Sequence, residues 1–321
     1  MENKGILLTG ASGFLGSYVH KALMNQVEKP VWACYHHRIP ENASGQWLCI
    51  DLLNPSEVEE ILPKIDTIIH LAGKISYQKK DRDSLRKSNM HMTRELVNSA
   101  LAFGVKNFIL MSSASTMAKS IQPLVFTDKP SSSPVFHSYY ARTKFESELE
   151  VRRGEAEGLQ IAILNPSLIL GTGDWSKGSP SVIARIATGL PAYPAGSLGL
   201  VGAEDVANVV VKIVKEELWG KQLMLNAETW TYQKFIYTIC EMLNRKPPQY
   251  RSNGILSNLA VLKDTLLSRL QKKQNIITGE TAFMSAQSFS YGCGWSNQLA
   301  NLKYQPVEAI LKKMLNEYIN K

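Results

Sequence analysis

Four residues in the middle of the chain have the types and spacing for proton chemistry at a carbonyl or an alcohol. Tyr140-Ala141-Arg142-Thr143-Lys144 sets a phenol and an ammonium four positions apart, which on a helix is one face. A cation beside a phenol favours the phenolate and draws its pKa toward the range useful for proton transfer. The neighbouring Tyr139 has Thr143 at the same offset, which supplies no charge. In a chain with 12 tyrosines the spacing alone is weak. It gains weight from Met111-Ser112-Ser113-Ala114, which ends the preceding strand-like run. Ligands of open α/β sheets bind beyond the carboxyl ends of strands, where a serine can hold a carbonyl oxygen. Taken singly, the serines read equally well as a turn or helix cap, and the tyrosine as a half-buried amphipathic residue.

A second constellation lies at the start. Thr9-Gly10-Ala11-Ser12-Gly13-Phe14-Leu15-Gly16 follows an apolar run and opens a helix-like stretch. Gly10 permits a tight turn, Gly13 lets backbone approach a pyrophosphate, and Gly16 allows close helix-to-strand packing. The helix N-terminus, with Ser12 and the amides near Phe14 and Leu15, then faces the phosphates. A glycine trio alone is weak, but a strand before it and a helix after it are the context a dinucleotide needs. Selectivity between nicotinamide cofactors is read about 20 residues later. There the chain has Cys34-Tyr35-His36-His37-Arg38 and no carboxylate. His36 and Arg38 suit a 2′-phosphate, so NADP(H) is favoured and NAD(H) is the alternative; the bland reading is a solvated loop.

Elements that position these residues follow from the periodicity. Strands are predicted at Ile6 to Leu8, Pro30 to Tyr35, Gln46 to Ile50, Thr67 to Leu71, Phe108 to Met111 and Gln160 to Leu164. Helices are predicted from Gly16 to Asn25, from Ser56, from Ser84 to Phe103, and from Tyr139 to Gly154. Alternation of this kind implies a Rossmann-type doubly wound parallel sheet with helices on both faces. Runs such as Ile161-Ala162-Ile163-Leu164 fit strands buried on both sides. Past Asn165 the rhythm breaks into Gly-, Pro- and Ser-rich loops. Helices are then predicted at Ser181 to Thr188, Ala203 to Glu217, Tyr232 to Asn244 and Ile255 to Lys273. The expected division is a dinucleotide-binding lobe over 1–165 and a smaller, mainly helical substrate lobe over 166–321, some of whose segments return to the first. Leucines 256, 259, 262, 266, 267 and 270 form a stripe with lysines nearby. It reads as a lid or core helix in preference to a membrane-surface one.

Composition narrows the partners. The chain has 321 residues, 44% hydrophobic and 20% charged, with a net charge of +8. No stretch approaches the roughly 18 uninterrupted apolar residues of a membrane helix, and the N-terminal apolar run is too short for a signal sequence. The expectation is a cytoplasmic protein without stable membrane insertion. Its cations are dispersed and not interleaved with aromatics, which argues against nucleic acid and suits an anionic cofactor. Cys34, Cys49, Cys240 and Cys293 are too scattered for a zinc site or a disulfide framework.

Taken together, these motifs resemble the extended short-chain dehydrogenase/reductases of the NAD-dependent epimerase/dehydratase superfamily, nearly end to end. Thr9 to Gly16 is similar to their cofactor turn. Asp51-Leu52 resembles the pair that contacts adenine, and His70-Leu71-Ala72-Gly73 the segment beside pyrophosphate and ribose. Asn89 resembles a structural asparagine of the following helix. Asn165-Pro166-Ser167-Leu168-Ile169-Leu170-Gly171 is similar to the loop whose proline lies against the nicotinamide, and Glu204-Asp205-Val206-Ala207 to a later family segment. The resemblance implies that Ser113 polarises the carbonyl and Tyr140 transfers the proton. Lys144 would hold the nicotinamide ribose and depress the Tyr140 pKa. Dimers are frequent among similar enzymes, though no residue here demands one.

Departures bear on the branch. Thr116-Met117-Ala118 replaces the Val-Tyr-Gly usual in sugar-nucleotide epimerases. The Thr-Asp-Glu triplet of dehydratases is absent, and Gly199-Leu200-Val201-Gly202 offers no arginine for a diphosphate. The Asn-Pro-Ser-Leu loop is closer to dihydroflavonol 4-reductases and 3β-hydroxysteroid dehydrogenases. The expected function is reduction of a carbonyl, or oxidation of an alcohol, on a small but bulky apolar molecule. The alternatives are a nucleotide-sugar epimerase and a non-catalytic NADP(H)-binding redox sensor.

Overall fold

Five consecutive buried residues make β1 (Gly5–Thr9) a strand covered on both faces. After it come α1 (Phe14–Gln26), β2 (Val31–Tyr35), β3 (Gln46–Cys49), α2 (Pro55–Glu59) and β4 (Ile65–His70). A long helical run passes from α3 (Arg82–Arg86) through a π turn at Lys87–His91 into α4 (Met92–Ala102). Next are β5 (Asn107–Met111), the short β6 (Ala118–Lys119) and β7 (Leu124–Thr127), α5 (Tyr139–Ala156) and β8 (Gln160–Pro166). The computed structural model describes residues 4–36, 39–40, 43–119, 124–127, 136–252 and 278–320. The leucine stripe expected as a helix from Ile255 to Lys273 lies outside them.

The second half contains β9 (Leu168–Leu170), α6 (Gly178–Ala187), β10 (Ala192–Tyr193), β11 (Ser197–Gly202) and α7 (Ala203–Glu216). It continues with β12 (Lys221–Leu225), β13 (Glu228–Thr231), α8 (Tyr232–Met242), β14 (Tyr250–Arg251) and β15 (Phe289–Gly292). Helices Gly279–Ala286, Gly294–Ala300 and Val307–Ile319 complete it. The periodicity reading did not delineate these strands or the last three helices. In Val307–Ile319 the signal was present: Val307, Ile310, Leu311, Met314 and Leu315 are its buried face, at helical spacing.

The main sheet is parallel with order β12-β8-β5-β4-β1-β2-β3. Strand order reverses between β1 and β4, so their carboxyl ends flank a crevice where such sheets bind ligands. Side chains alternate across the sheet as a two-residue period demands. Ile6, Leu8, Ile109 and Leu164 join one core with Val19 and Leu23 of α1 and Val206 and Val210 of α7. Leu7, Ile68, Phe108 and Ile163 join the other with Val58, Leu96, Val97 and Val151. Strand β12 comes back from the later half to pair with β8. A separate core, including Leu170, Ile183, Trp230, Phe235 and Leu311, holds the helices of the second half to the sheet β13-β11-β9.

Among the described residues no helix is long and apolar enough to cross a membrane. Nor do three or more His, Cys, Asp or Glu side chains among them group to hold a metal. The four cysteines are free thiols. Because Phe108 is fully buried in the second core, Phe108→Ala is expected to cost about 3–5 kcal/mol of stability. A shift of the urea unfolding midpoint at unchanged slope measures it.

Candidate active site

The glycine turn is shaped by two close approaches. Gly10 has φ +70°, and a Cβ there would lie 2.6 Å from the Ala72 amide nitrogen. A Cβ on Gly16 would fall 2.0 Å from the Gly10 carbonyl oxygen, so only hydrogen lets α1 sit this close to its turn. The Gly13 amide donates to the Gly10 carbonyl at 3.0 Å. Ser12 and Gly13 are exposed at the tip, while Phe14 and Leu15 are half-buried. Gly13 caps α1 without a side-chain hydrogen bond, and the first turn carries no acid. The positive end of the helix is therefore uncompensated from within, and the glycine cradle accommodates a pyrophosphate.

Leu71, Ala72 and Gly73 continue β4 against this turn. The Leu71 amide donates to the Thr9 carbonyl at 3.2 Å, and the Ala72 amide to Thr9 Oγ1 at 3.4 Å. A Cβ on Gly73 would lie 3.0 Å from Asn89 Oδ1 and 3.7 Å from Lys144 Nζ. The segment therefore adjoins both the turn and the lysine. Asn89, in the π turn, accepts from the Lys74 amide at 2.8 Å. Its Nδ2 donates to the Lys74 carbonyl at 3.1 Å and to Thr143 Oγ1 at 3.0 Å.

The remaining sequence-derived positions spread along the same edge. Asp51 Oδ1 accepts from the Leu53 amide at 3.0 Å. Leu52 is buried in the second core, which leaves only its backbone to a ligand. His36 is exposed beyond β2, with its carbonyl 3.7 Å from Cys49 Sγ; Arg38 lies outside the described residues. Pro166 ends β8 as a buried residue, and Leu168 opens β9 half-buried.

Ser113, Tyr140 and Lys144 converge. Ser138 caps α5 by accepting from the Ala141 amide at 3.1 Å, and Tyr140, Lys144 and Glu148 then share its buried face. Tyr140 is 8% exposed and Lys144 6%. Ser113, two residues beyond β5, lies close enough to the Tyr140 phenol to favour its ionised form. Its Oγ also accepts from the Ser115 amide at 3.2 Å and lies 2.9 Å from Ser115 Oγ.

Burial sets the protonation states. It pushes the Tyr140 phenol above its ordinary value, with Tyr77 adding and Ser113 opposing. The expected depression by Lys144 is thus outweighed, and Tyr140 is held as a neutral phenol. Burial draws Lys144 down to about 8, and the Glu148 charge acts the other way. Burial, reinforced by Lys144, pulls His70 down to about 3, so its imidazole is neutral.

Three further tyrosines, which no local motif marks, join Tyr140 through Tyr77. Tyr77 packs edge-on against Tyr140 with ring centroids 5.9 Å apart. Burial raises Tyr232 and Tyr291, the latter to about 12, and Tyr77 also acts on each. Tyr291 carries a hydrogen bond from the Gly199 backbone, and a Cβ on Gly199 would lie 2.9 Å from its ring. Glu280 closes this side. Its carboxylate accepts from the Tyr139 amide at 3.3 Å and lies 3.9 Å from Arg82, whose guanidinium covers the Tyr139 ring at 5.1 Å. The signal for these contacts is tertiary, since Tyr77, Tyr232, Glu280 and Tyr291 are far apart in the chain.

Residues 6–223 match the NAD dependent epimerase/dehydratase family. Sterol demethylase protein B of Methylococcus capsulatus is 26% identical over 276 residues, covering 82% of this chain and 82% of its own. Tetraketide alpha-pyrone reductase 2 of Arabidopsis thaliana is 24% identical over 280 residues, 78% of this chain and 85% of that one. The solved structure of gox2253 superposes with a TM-score of 0.83 at 22% identity, over 99% of this chain and 98% of its own, a likeness of fold. A family match that spans more than half of the chain shows it to be a member of the NAD-dependent epimerase/dehydratase family, and so an NAD(P)-dependent enzyme of the extended short-chain dehydrogenase/reductase type.

Proposed function

We propose that this enzyme interconverts a carbonyl and an alcohol on a bulky, largely apolar molecule, with Ser113, Tyr140 and Lys144 as its catalytic residues. The observation that carries the reading is a buried, neutral Tyr140 phenol beside Ser113 and the aromatic surface of Tyr77. The nicotinamide cofactor, when bound, supplies or takes up the hydride. Tyr140 gives its proton to the carbonyl oxygen as charge develops there, and Ser113 donates a hydrogen bond to that oxygen. Lys144, next to Gly73, binds the nicotinamide ribose and offsets the charge left on Tyr140. Gly10, Ser12, Gly13, Phe14, Leu15 and Gly16 hold the pyrophosphate, with Asp51, Leu52, Leu71, Ala72, Gly73, Pro166 and Leu168 along the rest of the cofactor. We read 1–165 as the dinucleotide lobe, joined by β12, and the remainder of 166–321 as the substrate lobe.

NADP(H) is the preferred cofactor in this proposal, since β2 ends at Tyr35 and is followed by His36, His37 and Arg38 without a carboxylate. Epimerisation of a nucleoside-diphosphate sugar is the second reading, favoured by the family match. An epimerase works without net cofactor consumption, whereas the reductase oxidises NADPH as a ketone is added.

Three outcomes test the proposal. In fluorescence titrations NADPH should bind at least about tenfold tighter than NADH, a difference of about 1.4 kcal/mol; equal affinities would remove the His36/Arg38 argument. Tyr140→Phe should retain cofactor affinity yet lose about 100- to 10,000-fold in turnover of aromatic or aliphatic ketones. Unchanged turnover would take the proton-donor role from Tyr140. The third outcome is a stability. The folded chain binds the Lys144 proton near 8 and the unfolded chain near 10.5, so burying the ammonium is unfavourable at neutral pH. That penalty is full below about 8 and fades as pH rises to 10.5. Lys144→Met should therefore be more stable than the parent at pH 7, with a margin that shrinks across this window in urea unfolding.

A further inference from the structure

One turn beyond Lys144 on α5, Glu148 is 2% exposed. Its carboxylate is the meeting point of three strand ends. At Oε1 it accepts from Ser112 Oγ, from Thr116 Oγ1 at 2.6 Å and from Asn165 Nδ2 at 2.7 Å. At Oε2 it accepts from Gln222 Nε2 at 3.3 Å. Ser112 follows β5, Asn165 is in β8 and Gln222 in β12. Two of these donors also adjoin the Ser113 carbonyl: Asn165 Nδ2 is 3.1 Å from it, and Thr116 Oγ1 is 2.9 Å away, its one proton shared between that carbonyl and Glu148. The Ser112 amide is tied in turn to the Leu164 carbonyl at 2.7 Å. Gln222 is anchored behind by Arg152, which donates to its Oε1.

A buried carboxylate of this kind is poor value as a stabiliser, since apolar replacements of buried polar clusters are often neutral or better. What it does supply is geometry, and catalytic groups need placement within about 0.5 Å. We propose that Glu148 is a positioning residue for the reaction: its carboxylate clamps the backbone carrying Ser113 onto α5 and backs Lys144 with a negative charge. The inference rests on the reading of Ser113, Tyr140 and Lys144 as the catalytic set. Glu148, on the same helix, acts on Lys144, and Lys144 acts in turn on His70 of β4. His70 is neutral at pH 7; burial raises the Glu148 carboxyl, and the hydrogen bonds from Ser112, Thr116 and Asn165 and the charge of Arg152 act against that rise. The charged neighbours of Glu148 are Lys144 and Arg152; its partners from the strands are neutral.

The test uses the full chain and two readouts that need no substrate. Amides of Ser112, Ser115, Thr116 and Met117 are hydrogen-bonded within the clamp. In Glu148→Gln, exchange of residues 112–117 should rise about tenfold or more, while β1 residues 6–8 keep their protection. The Lys144 side chain, followed by carbon-13 NMR of labelled lysines and assigned with Lys144→Met, should titrate about one pH unit lower in the same variant. Glu148→Asp keeps the charge and should return the Lys144 midpoint toward that of the parent, with exchange only partly restored. It also serves if the glutamine variant does not fold. Parental exchange at 112–117 in Glu148→Gln would overturn the proposal, as would exchange rising equally in β1. Raised exchange with an unmoved Lys144 midpoint would reduce Glu148 to packing and overturn it too. Failure of the catalytic reading shows separately, as turnover that survives Tyr140→Phe while the exchange result holds.

Discussion

A chain of buried hydrogen bonds from the glycine turn to α5 is the constraint on which the rest of the site depends. It begins where β1 and β4 end side by side, Thr9 in register with His70. Thr9 Oγ1 meets His70 Nδ1 at 2.7 Å, and His70 Nε2 meets Thr93 Oγ1 at 3.1 Å. Thr93 donates to the Asn89 carbonyl at 2.6 Å, and Asn89 reaches Thr143, beside Lys144, at 3.0 Å. Each link is fully buried, so an unpaired member would be costly. A neutral His70 is what the chain requires, because a buried imidazolium beside Lys144 would lose solvation and gain repulsion. Displacing α5 would break this chain, and so the distance from the glycine turn to Tyr140 and Lys144 is held by these buried bonds.

The electrostatics of the site follow from the same burial. Water is kept from Tyr140 and Lys144, which stabilises the neutral phenol and destabilises the ammonium. A phenol that holds its proton is suited to donate it to a carbonyl oxygen, the direction a reductase needs. The ammonium is retained against its own desolvation through Glu148 and through any ligand that can use it.

The aromatic wall separates the question of fold from that of substrate. The main sheet and glycine turn are shared by a broad family, whereas Tyr77, Tyr232 and Tyr291 come from connecting segments and the later half. Such segments decide what a common scaffold accepts. Gly199, in the segment that offers no arginine, lies against Tyr291, Ser167 and Asn226, and leaves no room there for a side chain of any size.

By itself the sequence determined whatever depends on short stretches of chain. The apolar runs of β1, β4, β5 and β8 declare strands buried on both faces. Gly10 and Gly16 mark a turn that no Cβ would tolerate, and the helical offset of Tyr140 and Lys144 puts both on one side of α5. These are consequences of local sterics and periodicity, which act within a few residues. Tertiary structure decided the rest. It returned β12 to the main sheet although Lys221 and Gln222 open it with polar residues, because pairing with β8 buries Leu223, Met224 and Leu225. It put Leu52 into the core, gathered Tyr77, Tyr232, Glu280 and Tyr291 from distant segments, and made Glu148 the joint of three strands. It also reversed the expected shift of Tyr140. The sequence shows the lysine four residues away, but desolvation is set by every neighbour at once, and in this fold it outweighs the single charge.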